Sequence, residues 1–408
     1  MQAALAAILE SLGQPTAIPE AITCSQTASR AFELAYWNDI RILSAGEYQN
    51  KDNADCVDDP ATLSQLVHTQ RDLERLGDYL LSRYHAAIAQ AGMQGQALAG
   101  DLPFKWRTDF DFPRFGGWQS NQAGHACERD LLVVIPGKDH AHPVVLADHY
   151  DTAYIEDLYD KSRSGTGARK SAAGSDDNHS ATAALLQAAP IYLELAKQGK
   201  LERDIWLLHL TGEEFPADCL GARHFCQCLI ERTLKLRLAD ERWIDLSDAR
   251  PAGIFVMDMI AHNLDDDRDI FQISPGKSPA SLNLAWQAHL ANLAWNTFTE
   301  VGNHSPERAG RGRGQRRPDG NSIPETAALL RLNGEVRTCD DPASSLFNTD
   351  GQIFSDIGAT VVLFMENYDI NRSGYHDTHD TLQNIDLDYG AALAAIAIET
   401  VARLAVQP

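Results

Sequence analysis

The stretch "HPVVLADHYD" (142–151) decides how this chain is read. Five residues rich in β-branched and aliphatic side chains, Pro143–Ala147, are too few for a helix and suit a strand buried on both faces. Asp148, His149, Tyr150 and Asp151 follow at once, so charge collects where the apolar run stops. The pattern repeats. "LLVVI" (131–135), "DIWLLHL" (204–210), "GIFVMDM" (253–259) and "TVVLFM" (360–365) are further short apolar runs. Glu213 and Glu214, Asp258, and Glu366 stand at or just beyond the ends of the last three. Helical spacing marks 62–92 ahead of these runs and separates several of them, over 178–197, 219–236, 279–298 and 386–406. Strands alternating with helices predict an α/β fold, a three-layer α/β/α sandwich around a mixed, mostly parallel sheet. In such sheets the binding crevice lies beyond the carboxyl ends of the strands, where these acids and His149 are expected to converge.

Composition bounds the function. The chain has 408 residues, 44% hydrophobic and 23% charged, as in ordinary globular proteins. A net charge of −22 excludes nucleic acid as a partner and suits cations. No apolar stretch approaches the roughly 18 residues that span a bilayer, so no membrane partner is expected. The start, "MQAALAAILESLGQPT", lacks a basic region and is a poor secretory signal, which predicts a cytoplasmic location. Seven cysteines cannot all pair, and none stands in a C-x-x-C spacing, so reduced thiols are expected. Nothing in the sequence fixes the oligomeric state.

Residues 1–64 show no long periodic segment and read as an N-terminal extension packed on a main domain at 65–408. The segment 264–345, poor in strand signals, reads as an insertion at the rim of that domain. Its arginine- and glycine-rich piece "ERAGRGRGQRRPDG" (307–320) reads as a solvated loop.

"AAGSDDNHSATAALLQAAP" (172–190) places two carboxylates, Asp176 and Asp177, before a helix. One acid would cap it; the second needs another purpose. Several converging carboxylates repel one another without a cation. Imidazole and carboxylate without thiolate suit a hydrolytic zinc site, and a pair of ions needs a bridging carboxylate, which a short Asp at a helix start can supply.

These residues fall into an ordered set: "HYD" at 149–151, "DNHS" at 177–180, "EE" at 213–214, "DM" at 258–259 and "YHDTHD" at 375–380. The set resembles the co-catalytic zinc exopeptidases of metallopeptidase family 28 (clan MH), which include bacterial leucyl aminopeptidases and glutamate carboxypeptidase II. Their pattern runs H-x-D, D-x-x-S, E-E, D-M, Y-H-x-x-x-D, and all five parts occur here in order over about 230 residues. The resemblance implies a zinc exopeptidase fold, two Zn²⁺ per chain and a peptide substrate. It implies metal ligands His149, Asp177 as the bridge, Glu214, Asp258 and His376. It further implies Glu213 as general base, Asp151 as the carboxylate orienting His149, and Tyr375 as donor to the oxyanion. The four-residue spacing to Asp380 favours His376 over His379.

The sequence departs from the family in three places. "EEFPADCLGA" (213–222) is longer than usual, the loop from 152 to 175 is long, and Gly351 replaces a histidine in "NTDGQIF" (348–354). The implied activity is a metalloexopeptidase, an aminopeptidase that removes N-terminal residues with a metal-bridging water. The alternatives are a metallocarboxypeptidase of the same family, or a transferase like the single-zinc glutaminyl cyclases.

Overall fold

The computed structural model describes residues 20–49, 51–52, 72–107, 125–168, 170–215, 217–263, 269–302, 329–368 and 374–407. The arginine-rich piece at 307–320 and the chain start at 1–16 lie outside them.

Ten strands form one sheet: β1 (Leu98–Arg107), β2 (His125–Ile135), β3 (Asp139–His149), β4 (Arg203–Leu210), β5 (Lys235–Leu238), β6 (Trp243–Asp245), β7 (Gly253–Met257), β8 (Ile270–Pro275), β9 (Asn333–Val336) and β10 (Val361–Glu366). Their order is β6-β5-β1-β2-β4-β3-β7-β10-β8-β9. All five apolar runs read from the sequence are strands here. The sheet is mixed, as expected, but not mostly parallel: four of its nine neighbouring pairs are parallel and five antiparallel. Three of the parallel pairs join the central strands β4, β3, β7 and β10, so these end at one edge. The antiparallel pairs lie outside them.

Seven helices matter to the site: α1 (Arg30–Ser44), α2 (Asp72–Ala91), α3 (His179–Lys197), α4 (Leu220–Glu231), α5 (Pro279–Gly302), α6 (Asp350–Asp356) and α7 (Leu387–Ala405). Alternation along the strands sorts the two cores. Leu131, Val133 and Ile135 of β2 face one core with α1, α2, α3, α5 and α7. Leu132 and Val134 face the other, with α4 and α6. Helices cover both faces, which is why the central strands read as unbroken apolar runs. Helices α3 and α7 are rich in alanine and buried over most of their length, small side chains letting them approach closely.

Two expectations change. Residues 1–64 contain a long helix after all, α1, capped by Ser29, whose side chain accepts from the Phe32 N–H at 3.2 Å. Phe32, Tyr36, Ile40 and Leu43 turn one stripe into the core, but Leu34, Trp37 and Ile42 lie outside it and blur the period. Within 264–345, β8 and β9 are strands of the main sheet and α5 belongs to its covering layer, so these parts are not a rim insertion. Strand β9 escapes a sequence reading because its residues alternate between exposed and half-buried at the sheet edge. Among the described residues no helix is long and apolar enough to cross a membrane.

The N-terminal segment is fastened to α7 by one buried carboxylate. Glu399 accepts from the backbone N–H of Ile22 and Thr23 and from the Thr23 hydroxyl, at 2.7–3.1 Å, and pairs with buried Arg403 at 2.9 Å. Removing one partner of a buried ion pair leaves the other uncompensated, at a cost of about 3–5 kcal/mol. Glu399→Ala is therefore expected to lower the urea unfolding free energy by about that amount. A change below about 1 kcal/mol would mean that the clasp is not needed.

Candidate metal centre

Each expected ligand reaches the site from a different element. His149 ends β3, with Nδ1 3.3 Å from the Asp151 carbonyl oxygen. That contact turns Nε2 towards Asp177 Oδ1 at 3.3 Å and Asp258 Oδ1 at 3.5 Å. Asp258 follows β7 and is bracketed by one side chain: Asn178 donates to the Met257 carbonyl at 3.0 Å and accepts from the Met259 N–H at 3.1 Å. On the other side of Asp177, His376 Nε2 lies 3.2 Å from Asp177 Oδ2 and 3.1 Å from Glu214 Oε2. Two groups of potential ligand atoms result, His149–Asp177–Asp258 and Asp177–Glu214–His376, each with its atoms within 4.8 Å of one another. Asp177 gives one carboxylate oxygen to each.

The donor set fits zinc. His149 Nε2, Glu214 Oε1 and Asp258 Oδ1 are buried without a hydrogen-bond partner, an arrangement native proteins keep only for a reason. Ligand bonds of 2.0–2.2 Å in a tetrahedron put ligand atoms roughly 3.4 Å apart, against the 3.1–3.5 Å found here. Charge points the same way. Burial disfavours an imidazolium at His149 and His376, yet the surrounding carboxylates outweigh it and hold both well above the ordinary histidine range. Burial also opposes an ionised Asp177, but the two imidazoles hold it well below its ordinary range. Glu214 is pushed up by burial to about 7 and Asp258 is raised for the same reason, with Asp177 adding to both. Two imidazoles supply too little positive charge for these carboxylates, and a cation supplies the rest.

The neighbouring acids hold the frame. Asp151 accepts from the Glu213 and Glu214 N–H groups at 3.3 and 3.2 Å, while its carboxylate lies 3.6 Å from His149 Nδ1. It thus shapes the Glu213–Glu214 turn more closely than it touches the imidazole. Asp176 is not the helix cap: its Oδ1 accepts from the Ala261 N–H at 2.9 Å, and Ser180 accepts from the Ile260 N–H at 3.1 Å. Asp176, Asn178 and Ser180 therefore fasten the start of α3 to the chain leaving β7, while Asp177 between them is left for the site. That division explains the paired acids. Asp380 accepts from the Asp176 N–H at 2.8 Å and joins the His376 loop to the same turn.

Glu213 lines a cavity of about 290 Å³ together with Asp258, Tyr375, Tyr368, Phe347 and Arg223. Burial pushes its carboxyl well above the usual range, although His149 opposes the shift. Tyr375 stacks on His376 with ring centroids 3.9 Å apart. His379 is exposed and belongs to neither group. Glu366 ends β10 but accepts from the His262 N–H at 2.6 Å and also lies outside both.

The comparisons bear on this geometry. Residues 130–303, which carry His149, Asp177, Glu213, Glu214 and Asp258, match the model of peptidase family M28. Over these residues the chain is similar to peptidase family M28. The match supports a metallopeptidase. No curated protein sequence matches this chain. Solved structures match it in fold at low identity. A Zn-dependent exopeptidase from Parabacteroides distasonis is 12% identical with a TM-score of 0.53, covering 94% of this chain and 99% of that one. A leucine aminopeptidase precursor from Bacteroides thetaiotaomicron is 11% identical with a TM-score of 0.52, covering 94% and 98%. A glutaminyl cyclase from Porphyromonas gingivalis is 13% identical with a TM-score of 0.54, covering 91% and 98%.

Some residues of the site left little signal in the sequence. Asp350 is buried near the site with neither carboxylate oxygen hydrogen-bonded, and burial raises it well above its ordinary range. It sits beside Gly351, the position where a family histidine is missing. Lys51 is fully buried, with Nζ donating to Leu43 and Ala173 carbonyls at 3.0 and 2.6 Å and lying 3.0 Å from His179 Nε2. Glu156, in the long 152–175 loop, has Oε1 3.5 Å from His376 Nδ1, and its N–H donates to the His376 carbonyl at 2.8 Å. Partners of this kind orient a ligating imidazole and typically change metal affinity by about 10–100-fold when removed. If both groups bind zinc, Glu156→Ala should weaken the ion held by the His376 group by about that factor in chelator competition and leave the other unchanged. Equal loss of both ions, or of neither, would show that Glu156 does not act through His376.

Proposed function

We propose that this chain is a di-zinc aminopeptidase, releasing N-terminal residues from peptides. The observation that carries the proposal is the division of Asp177: one oxygen faces His149 and Asp258, the other His376 and Glu214. His149, Asp177 and Asp258 would hold one ion; Asp177, Glu214 and His376 would hold the other. Zinc bound there supplies Lewis acidity towards the scissile carbonyl and makes a water acidic near neutral pH.

The protein's own groups do the rest. Glu213, on the cavity wall beside Glu214, accepts the proton of the attacking water and returns it to the leaving amine. Tyr375, on the same wall, donates its O–H to the oxygen on which negative charge develops. The anionic wall suits the ammonium of a free peptide N-terminus. A carboxypeptidase would need an arginine for the substrate carboxylate. Arg223 lines the cavity, but it already pairs with Asp218 through Nε to the carbonyl at 2.9 Å and Nη2 to the carboxylate at 3.0 Å. The glutaminyl cyclase reading requires one ion, and the complete group around His149 favours two.

Metal analysis of the purified chain is expected to give about two zinc ions per chain. One ion, together with cyclisation of an N-terminal glutamine, would replace this reading with the transferase. Glu213→Gln should keep both ions and lose about 10²–10⁴-fold in turnover of an aminoacyl test substrate. If it loses metal instead, Glu213 is a ligand and not the base.

A further inference from the structure

Outside the metal centre, α4 carries a second constellation of chemically active side chains. Cys228 Sγ lies 3.4 Å from His224 Nε2, one helical turn away. The other imidazole nitrogen, Nδ1, faces Asp130 Oδ2 at 3.6 Å. Asp130 comes from β2 and is fully buried; its Oδ1 accepts from the Thr211 N–H at 3.1 Å, and its Oδ2 has no hydrogen bond within the ordinary limit. Space for that carboxylate is made by Gly221, where a Cβ would stand 2.4 Å from Asp130 Oδ1. The Phe104 ring of β1 stacks on His224 with centroids 4.4 Å apart and shields the pair. Thiol, imidazole and carboxylate are thus in line, the order by which a base activates a nucleophile and a third group orients the base.

The other described cysteines lack this setting. Cys24 and Cys219 are buried with carboxylates, Glu399 and Glu213, as thiol partners. Cys226 is buried, and burial pushes its thiol and those of Cys24 and Cys219 up. Cys228 is half-buried, so a small reagent can reach it.

We propose that Cys228 is an activated thiol and a modification site for small uncharged electrophiles such as hydrogen peroxide, with His224 as its proton partner and Asp130 as the group that orients His224. Asp130 is the charged group facing His224 from the sheet, and Phe104 on β1 is uncharged. On α4 itself, Arg223 is paired with Asp218, and Glu231 accepts from Gln227 at 2.9 Å. Burial alone would lower the basicity of His224, but Asp130 and Cys228 outweigh it and raise the imidazole to about 9. An imidazole that stays protonated at neutral pH favours the thiolate beside it.

With peroxide, the Cys228 sulfur attacks one oxygen. The S–O bond forms as the O–O bond breaks, and the departing hydroxide takes the proton from His224 Nε2 and leaves as water. Sulfur is oxidised to the sulfenic acid and peroxide is reduced. None of this uses the zinc ligands, so the proposal stands or falls apart from the aminopeptidase reading.

The test follows iodoacetamide labelling of each cysteine in the holoenzyme by peptide mass spectrometry at pH 7. Cys228 is expected to react about tenfold faster than half-buried Cys339. In His224→Gln the rate at Cys228 should fall about tenfold while that at Cys339 is unchanged. Peroxide-treated holoenzyme should yield a dimedone adduct at Cys228, and His224→Gln at the same dose should not. Labelling of Cys228 no faster than Cys339, or no dimedone adduct at Cys228, would overturn the proposal. The unmutated chain decides the matter even if the variant fails to fold.

Discussion

The site depends on buried negative charge that the protein cannot neutralise by itself. Asp151, Asp177, Glu214, Asp258 and Asp350 are buried around two imidazoles. In a low-dielectric interior such a set is tolerated only with cations or bound protons. The rest of the architecture can be understood as the means of holding it. Parallel pairing of β4, β3, β7 and β10 brings their carboxyl ends to one edge. The side chains at 176, 178 and 180 lock α3 to the exit of β7, which leaves Asp177 little freedom to turn one oxygen away from either histidine.

Four of the five proposed ligands were legible because they stand at a readable boundary, the end of an apolar run or the start of a helix; His376 was legible only through the spacing it shares with the family pattern. Types and order together narrowed a common pattern to one family. What surrounds the ligands was not legible, because those contacts join residues far apart in the chain. Glu156 reaches His376 across 220 positions, and Asn178 grips both neighbours of Asp258 from about 80 positions away. No local periodicity records such pairs. Asp350 was hidden differently, since an acid in a helix's first turn normally reads as a favourable partner of the helix dipole.

The edges of the sheet were lost for a physical reason too. Edge strands bury less, so their apolar pattern is weak: β6 and β9 alternate between exposed and half-buried residues. Strand β1 contains Gly100, Asp101 and Pro103, residues usually read as breakers, yet it pairs along ten positions with β2. Missing these strands made the sheet look more parallel than it is, because the readable strands were the central ones.

Lys51 has a consequence for where the working unit begins. Its amine serves two carbonyls and lies against His179, its carbonyl accepts from the Thr152 N–H at 3.2 Å, and its own N–H reaches Ser171 at 2.9 Å. Thr152 adjoins Asp151, and His179 lies two residues beyond Asp177. The stretch ahead of the sheet is therefore a wall of the site. A chain begun at residue 65 would retain all five proposed ligands and the strands that carry them. It would leave the Ala173 carbonyl and the buried side of His179 without the amine that meets them. Such a truncated chain would hold the right residues without the enclosure that fixes their positions.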